Sequence, residues 1–195
     1  MIQITSFPKL HLAASNDKIR ENLNYIQFKT LPAGNQGREG LYMAATDAHV
    51  LAWTPVDFYI ETTDLPAEFY IHNVQFKKLC QSKLQYVTFN KESMVVLLHD
   101  KNGDVYDTML YMNAEAYNYV HRYPDYACII PTQATELNNG QFHIDAKRLS
   151  DAMQIFAGGS ITMNFRTDKR ACVMNYSDTE DKGELQVIVI PIIKF

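Results

Sequence analysis

The sequence is poor in the residues that build disulfide frameworks and metal centres. Its 195 residues include only three cysteines, Cys80, Cys128 and Cys172, which are odd in number and widely spaced. This pattern argues against a disulfide framework and matches no zinc-binding spacing. We interpret these cysteines as reduced core residues, as expected of a cytoplasmic protein.

Long apolar runs and a strong excess of one charge are also missing. No apolar stretch reaches the roughly 20 residues that a membrane-spanning helix needs. The first 15 residues contain no basic region followed by a long apolar stretch, so we expect no signal peptide. The net charge is only −4, from 18 basic and 22 acidic residues. Any contact with DNA would therefore need a local basic face.

Two short patterns imitate ligand-binding loops but depart from them. The glycine cluster of residues 34–40 lacks the Lys-Ser/Thr pair and the following helix of a phosphate loop, and a hairpin loop is the better interpretation. Residues 100–104 alternate like a calcium loop. However, Gly103 is out of place and Tyr111 stands where the bidentate glutamate belongs, which favours a hairpin turn. We predict no cofactor and no metal.

No recognisable catalytic motif is present. The six histidines have no HExxH-like spacing, and no serine or cysteine lies in a nucleophile-elbow context. We therefore predict that the protein is not an enzyme. A site assembled only in three dimensions, in an enzyme that reuses the fold, remains as an alternative that spacing does not test.

What the sequence does contain is apolar and aromatic residues in strand-like patterns. It is 47% hydrophobic and 12% aromatic, which is enough for a packed core and favours strands. From about residue 68, a strand (69–72) is followed by a short helix that Asn73 would cap, with Phe76, Leu79 and Cys80 on its apolar face. Lys77, Lys78 and Gln81 form the opposite face. Three strands follow, over residues 83–89, 93–100 and 104–113, and Asn102-Gly103 predicts a hairpin between the last two.

The same order recurs near the C-terminus. A strand over residues 141–145 precedes a helix capped by Asp145, which Gly158-Gly159 would end. We predict an apolar face of Ala146, Leu149, Met153 and Phe156 on this helix. Strands over residues 160–168, 170–178 and 184–193 complete a second β-α-β-β-β unit.

The first third of the chain fits this unit less well. Residues 1–7 could be its first strand, and at most a short helix fits before Ser15. The alternation of Tyr25 to Phe28 favours a strand from about Leu23. Residues 40–56 supply later strands, after a turn-rich loop over residues 32–40.

Four segments carry a resemblance when they are taken together. They are DKIRENLNYIQF (17–28), ATDAHVLAW (45–53), RYPDYACIIP (122–131) and the terminal LQVIVIPIIKF (185–195). In this order they resemble the xDxxRxxLxGxxF, ATDGHRLA, RFPDYRRVIP and VMPMRL signatures of the bacterial DNA polymerase III beta subunit, the sliding clamp. The resemblance covers residues 15–195.

The resemblance implies a fold and a domain organisation. The fold is α+β and DNA-clamp-like: repeated β-α-β-β-β units with antiparallel sheets and with helices on one face. Residues 1–131 resemble the middle domain of a clamp subunit, with its first helix reduced or absent. Residues 132–195 resemble the second half of its last domain.

The resemblance also implies sites. In clamps the middle and last domains meet at an apolar groove that takes short linear peptides from polymerases and other partners. The residues carried over to this groove are Leu23, Thr46, Ala48, His49, Val50, Leu51, Pro124, Cys128, Ile129, Asp145, Arg148, Ile161, Ile188, Val189, Ile190, Pro191 and Ile192. The residues that would face DNA are Lys77, Lys78, Lys147 and Arg148, although an ordinary solvated helix face explains them equally well. The alternative for the terminal IVIPII is a merely buried strand.

The implied function is that of a sliding-clamp-like processivity factor in DNA replication. It would tether a polymerase or other partner through the groove and contact double-stranded DNA without sequence specificity. A ring would need more copies of this short chain than a clamp dimer, so homo-oligomers are expected. The alternative is a monomeric, clamp-derived peptide-binding module that does not encircle DNA. Departures at Ala48, Val50, Ala127 and Cys128 remove a glycine and three arginines from the signatures.

Overall fold

The fold was analysed in a computed structural model. It describes residues 2–3, 7–31, 40–56, 65–126, 144–156, 160–166, 171–176 and 186–189. Several predictions lie outside these residues: the loop over residues 32–39, the strand over 141–143 and the helix end at Gly158-Gly159. Five groove residues also lie outside them, namely Cys128, Ile129, Ile190, Pro191 and Ile192.

Strands dominate the architecture, as the aromatic and β-branched content predicts. The strands are β1 Ile2–Gln3, β2 Tyr25–Leu31, β3 Gly40–Thr46, β4 Val50–Pro55, β5 Glu68–His72, β6 Tyr86–Asn90, β7 Val95–His99, β8 Val105–Leu110, β9 Met112–Asn113, β10 Ile161–Arg166, β11 Ala171–Tyr176 and β12 Gln186–Val189. The α-helices are α1 Asn73–Phe76, α2 Ala114–Val120 and α3 Ala146–Ile155. Short 3-10 helices cover Leu10–Leu12, Glu21–Asn24 and Lys77–Cys80.

The strands form two antiparallel sheets. An eight-stranded sheet has the order β10-β11-β12-β4-β3-β2-β5-β9, and a four-stranded sheet has the order β1-β6-β7-β8. The larger sheet therefore contains strands from both predicted domains, residues 1–131 and residues 132–195. The α+β fold with antiparallel sheets is confirmed.

The main core lies between these sheets and the predicted helices. Phe28, Phe69 and Ile71 of the larger sheet belong to the same buried cluster as Val96 and Leu98 of the smaller one. Because side chains alternate along a strand, the residues between these point to the other face of the larger sheet. We call the face toward the main core the inner face and the opposite one the outer face.

Helices α1 and α3 pack on the inner face, through Phe76 and through Ala152 and Ile155 respectively. Helix α2 was not predicted, and it lies on the outer face, where Tyr117 stacks on Tyr70 at 3.6 Å between ring centroids. The two predicted helices, α1 and α3, therefore lie on one face as predicted, and α2 is an additional helix that the sequence did not predict.

The cap predicted for α1 is wrong by one residue. His72 is the N-cap, and its Nδ1 accepts a hydrogen bond from the backbone N–H of Val74 at 3.3 Å. Asn73 is buried, and its side chain donates to Ser15 O and Asn16 Oδ1 instead. A tertiary hydrogen bond has replaced the local one that the sequence pattern suggests.

The cap of α3 is confirmed, since Asp145 Oδ1 accepts from the backbone N–H of Arg148 at 3.0 Å. Its apolar face is only half right. Leu149 and Phe156 pack against the core, but Ala146 and Met153 are exposed, and Ala152 and Ile155 are buried in their place. The buried face of the helix is therefore shifted by about one residue from the predicted one.

Two predicted boundaries also shift. The strand expected from Leu23 begins at Tyr25, after the 3-10 helix that buries Leu23. The single strand expected over residues 104–113 splits at Tyr111 into β8 and β9, which belong to different sheets. The hairpin at Asn102-Gly103 is confirmed, with Gly103 at a φ of 87°, a left-handed conformation that suits glycine.

Candidate functional site

The Thr46–Val50 turn between β3 and β4 is held by side chains. Asp47 Oδ1 accepts from the backbone N–H groups of His49 and Val50, at 2.8 and 2.7 Å. The hydroxyl of Thr46 donates to Val50 O at 2.8 Å and accepts from Ala48 N–H at 3.0 Å. Ala48 has a φ of 75°, in the left-handed region. The turn is thus rigid, and it ends where β4 enters the sheet.

The last described strand runs directly beside this turn. β12 pairs antiparallel with β4, with Ile188 opposite Leu51 and Val189 opposite Val50. Across β3, Thr46 lies opposite Leu51. Residues that are about 140 positions apart in the chain therefore meet in neighbouring positions of one sheet.

Strand alternation divides these predicted groove residues between the two faces. Thr46, Leu51 and Ile188 have the parity of the outer face, where Leu51 and Ile188 belong to a small buried cluster. Val50 and Val189 point inward and are part of the main core. All five side chains are buried, as is Leu23. Ala48 is exposed and His49 is half-buried.

The segment from Tyr117 to Tyr126 lies across the outer face. The hydroxyl of Tyr123 donates to Ala44 O at 3.1 Å, and the hydroxyl of Tyr117 donates to Asn22 O at 2.7 Å. These bonds hold Pro124, which is exposed, on the same face as the outer-face groove residues. Burial raises the pKa of the Tyr123 hydroxyl well above its usual value, so this donor stays protonated.

The remaining described groove residues belong to α3 and β10. Asp145 caps α3, and the N–H of Arg148 on its carboxylate lowers the pKa of Asp145. Ile161 begins β10, which β11 and β12 separate from β4. At the usual spacing of neighbouring strands this is about 14 Å from β4, so Ile161 is not adjacent to Leu51.

The cations predicted to face DNA differ in their surroundings. Lys77 and Lys147 are exposed and form no ion pair with any described residue. Lys78 Nζ instead lies 2.8 Å from Asp107 Oδ1 and donates to Thr108 O at 2.7 Å. Arg148 is half-buried. Of the four, Lys77 and Lys147 are therefore the most available to a phosphate.

One cysteine–histidine contact resembles a catalytic pair but has the wrong electrostatics. Cys80 Sγ lies 3.8 Å from His11 Nδ1. Burial raises the pKa of Cys80 to about 11, and burial with the nearby lysines Lys77 and Lys9 lowers the pKa of His11 to about 4. Both groups are therefore neutral near pH 7, whereas a nucleophilic pair needs a thiolate.

The described residues contain no group of three or more His, Cys, Asp or Glu side chains arranged to hold a metal ion. Within the same ranges, no helix has both the length and the apolar character to cross a membrane.

A cleft on the outer face was not predicted from the sequence. It has a volume of about 430 Å³ and lies between the strands and the segment that ends at Tyr126. Its lining residues are Gln27, Lys29, Leu31, Tyr42, Trp53, Glu68, Tyr70, Asn118, Arg122, Tyr123, Pro124, Asp125 and Tyr126. Only Pro124 among them was predicted to line the groove. The available signal was that Gln27, Lys29 and Leu31 are alternate residues of one strand and so share a face. This pattern indicates a site only when the neighbouring strands are known.

The fold can be compared with solved structures. No protein family and no curated protein matches the sequence. The Caulobacter crescentus pol III beta structure matches with a TM-score of 0.66 at 16% identity, over 95% of this chain and 62% of that one. The Streptococcus pneumoniae DNA polymerase III beta chain matches with a TM-score of 0.63 at 15% identity, over 95% and 62%.

A third structure is the Helicobacter pylori beta clamp bound to a DNA ligase peptide. Its TM-score is 0.64 at 12% identity, over 98% of this chain and 65% of that one. This chain thus spans less than two thirds of the length of these clamps. At such low identity the likeness shows the fold, which is that of a bacterial sliding clamp.

Proposed function

We propose that the protein is a non-enzymatic, sliding-clamp-like accessory factor of DNA replication. It holds a polymerase or another partner through a short peptide that binds beside the junction of β4 and β12. Tethering needs no chemistry and no reading of DNA sequence, in keeping with a chain that carries no recognisable catalytic motif.

The observation that carries this proposal is the register of β12 against β4. It brings Ile188 next to Leu51 on the outer face, and Leu51 pairs on its other side with Thr46, at the turn that carries His49. Apolar walls with a few polar groups at the rim suit the anchor of a short peptide. A solved structure with this fold, the Helicobacter pylori clamp, is bound to a DNA ligase peptide.

Several departures from the clamp signatures make the proposed rim less basic. Val50 stands where the signature has arginine, and its side chain is buried in the main core. Among the described residues, the exposed or half-buried members of the proposed groove are Ala48, His49, Pro124, Asp145, Arg148 and Ile161, and Arg148 is the one arginine or lysine in this set. We therefore expect the partner peptide to depend on apolar contacts more than on acidic residues.

Fluorescence anisotropy with the labelled DNA ligase peptide tests the proposal. We expect saturable binding that His49→Ser and Pro124→Ser weaken at least fivefold, because both residues lie at accessible positions of the groove. Pro66→Ser is the matched control, since Pro66 is half-buried and lies outside the groove. Equal binding by all three variants, or no binding by the parent protein, would refute the peptide-binding role.

The second candidate is a monomeric module that binds peptides without encircling DNA. The hydrogen bonds at the edge of the smaller sheet favour it. Lys78 and Asp107 occupy both main-chain groups of Thr108 on the outermost strand β8. Light scattering after size-exclusion chromatography separates the two candidates. A monomer at high concentration that binds the peptide and ignores double-stranded DNA would support the module and exclude the ring.

A further inference from the structure

The cleft on the outer face is a second site, which shares only Pro124 with the groove proposed at the β4–β12 junction. Both lie on one face, but they involve different parts of the strands. The junction involves Thr46 and Leu51, near the turn between β3 and β4. The cleft involves Tyr42, four residues from Thr46 along β3, and Trp53, two residues from Leu51 along β4, both farther from the turn.

Aromatic rings form the walls of this cleft. Tyr42 and Trp53 come from neighbouring strands, with 5.2 Å between ring centroids. Tyr126 approaches from the segment that lies over the sheet, and it packs against the same buried cluster. Such walls favour a flat ring, because offset and edge contacts add to the burial of its area.

The cleft is lined by two basic residues, Lys29 and Arg122, and by two acidic residues, Glu68 and Asp125. Lys29 Nζ lies 3.4 Å from Glu68 Oε2, and Glu68 Oε1 accepts from Gln27 and from the Tyr70 hydroxyl. Arg122 is exposed and forms no ion pair with any residue that the structure describes. The guanidinium of Arg122 is therefore the group in the cleft that is available to an anion, and it matches a carboxylate well.

We propose that this cleft binds an aromatic side chain that lies next to a carboxylate in a partner protein. The ring enters between the Tyr42–Trp53 wall and Tyr126, and the carboxylate meets Arg122. A nucleic acid fits less well, because its phosphates would meet Glu68 and Asp125, which also line the cleft. The proposal does not depend on peptide binding at the β4–β12 junction.

Trp53 is the only tryptophan in the sequence, so its fluorescence reports on the cleft directly. The probe is N-acetyl-phenylalanine, which combines a ring with a carboxylate and does not absorb at the wavelength that excites tryptophan. N-acetyl-phenylalanine amide lacks the charge, and N-acetyl-leucine lacks the ring. We expect a saturable change in Trp53 emission, with affinity falling in that order.

Two substitutions separate the charge from the ring. Arg122→Gln should weaken the acid about two- to fivefold and leave the amide unchanged, as expected for one exposed ion pair. Tyr126→Ala should weaken both aromatic probes. Arg20→Gln is the matched control, because Arg20 is also exposed but lies outside the cleft.

Three outcomes would overturn the proposal: equal affinity for the leucine and phenylalanine acids, no effect of Arg122→Gln, or tighter binding of oligodeoxythymidylate than of the acid. Because Arg122 is exposed, its substitution leaves the core intact, and the test does not depend on whether Tyr126→Ala folds. If the cleft probes do not bind as expected but the DNA ligase peptide still binds, only the proposal for the cleft is refuted. If the probes bind as expected but the peptide does not, only the proposed tethering function is refuted.

Discussion

Ala48 holds a backbone conformation that L-residues seldom adopt. Its φ of 75° puts the Cβ close to neighbouring backbone atoms, a cost that glycine avoids. The side chains of Asp47 and Thr46 fix the turn around it, so the conformation persists despite the cost. The clamp signature has glycine at this position, and the structure supplies the physical reason for that preference.

We expect Ala48→Gly to stabilise the protein by about 1 kcal/mol, because it relieves a left-handed alanine. Urea denaturation measures the change. Ala67→Gly serves as the control, since Ala67 is exposed and does not have a positive φ. The control should lose a few tenths of a kcal/mol through added chain entropy in the unfolded state. Destabilisation by Ala48→Gly would contradict the strain assigned to the turn.

His11 makes stability depend on pH. Its pKa falls from 6.5 to about 4 on folding, through burial and the nearby lysines Lys77 and Lys9. The unfolded state therefore binds a proton more readily, and the contribution of neutral His11 is lost as pH falls from about 7 toward 4. Partial exposure of the ring limits the loss to about 1–2 kcal/mol.

Urea denaturation at pH 7 and at pH 5 measures this loss. His11→Gln should flatten the difference between the two pH values, because glutamine keeps a polar group but does not titrate. His121→Gln is the control, as His121 is also half-buried and packs against Tyr25 on the outer face. An unchanged pH profile in His11→Gln would show that other groups cause the dependence.

At the scale of the element, sheet edges decide what the chain can join. An outermost strand presents main-chain groups that can pair with another strand. On β8, Lys78 donates to Thr108 O, and Asp107 accepts from Thr108 N–H. A lysine from the 3-10 helix that follows α1 thus blocks the middle of this edge, next to exposed Val105 and Leu110.

We expect Lys78→Ala to increase self-association, because it frees the carbonyl of Thr108 and leaves two exposed apolar residues beside it. Sedimentation velocity over a range of concentrations measures the effect. Lys77→Ala is the matched control, since Lys77 is exposed and lies beside Lys78 but forms no ion pair with the described part of the chain. Equal sedimentation of both variants would show that the Lys78–Asp107 pair does not protect the edge.

The elements that were predicted correctly carry their signals locally. The hairpin at Gly103 and the cap at Asp145 follow from turn and capping chemistry within a few residues. The cap of α1 did not follow, because buried Asn73 bonds to Ser15, 58 positions away. Helix α2 has only seven residues, and its main anchor is the stack of Tyr117 on Tyr70. Neither long-range contact is visible in a local pattern.

At the scale of the whole molecule, the junction of β4 and β12 is the feature that the motifs anticipated. Their resemblance to clamp signatures implied that the terminal strand lies beside the Thr46–Val50 turn, and the register of Ile188 with Leu51 agrees. The aromatic cleft was not anticipated, because its walls come from four strands, helix α2 and a loop that meet only after folding. The domain division at residue 131 stays a prediction, and the larger sheet crosses it.

A sheet that crosses this division should make the two parts unfold together. Ile188 is fully buried between strands from both parts, so Ile188→Ala should destabilise the protein by about 3 kcal/mol. Trp53, whose Nε1 donates to Gln186 Oε1 at 3.1 Å, reports on the junction, and far-UV circular dichroism reports on the whole fold. We expect the two urea transitions to coincide in the parent protein and to shift by the same amount in the variant.

Met153→Ala is the control for this substitution. It also shortens an apolar side chain in the C-terminal part, but Met153 is 47% exposed and should change stability by less than about 1 kcal/mol. Separate transitions, with Trp53 fluorescence shifted and circular dichroism largely unchanged, would mean that β12 docks on β4 without joining the parts into one cooperative unit. A peptide bound beside the junction would then be held by a detachable strand, and its affinity would fall with the free energy needed to keep that strand in place.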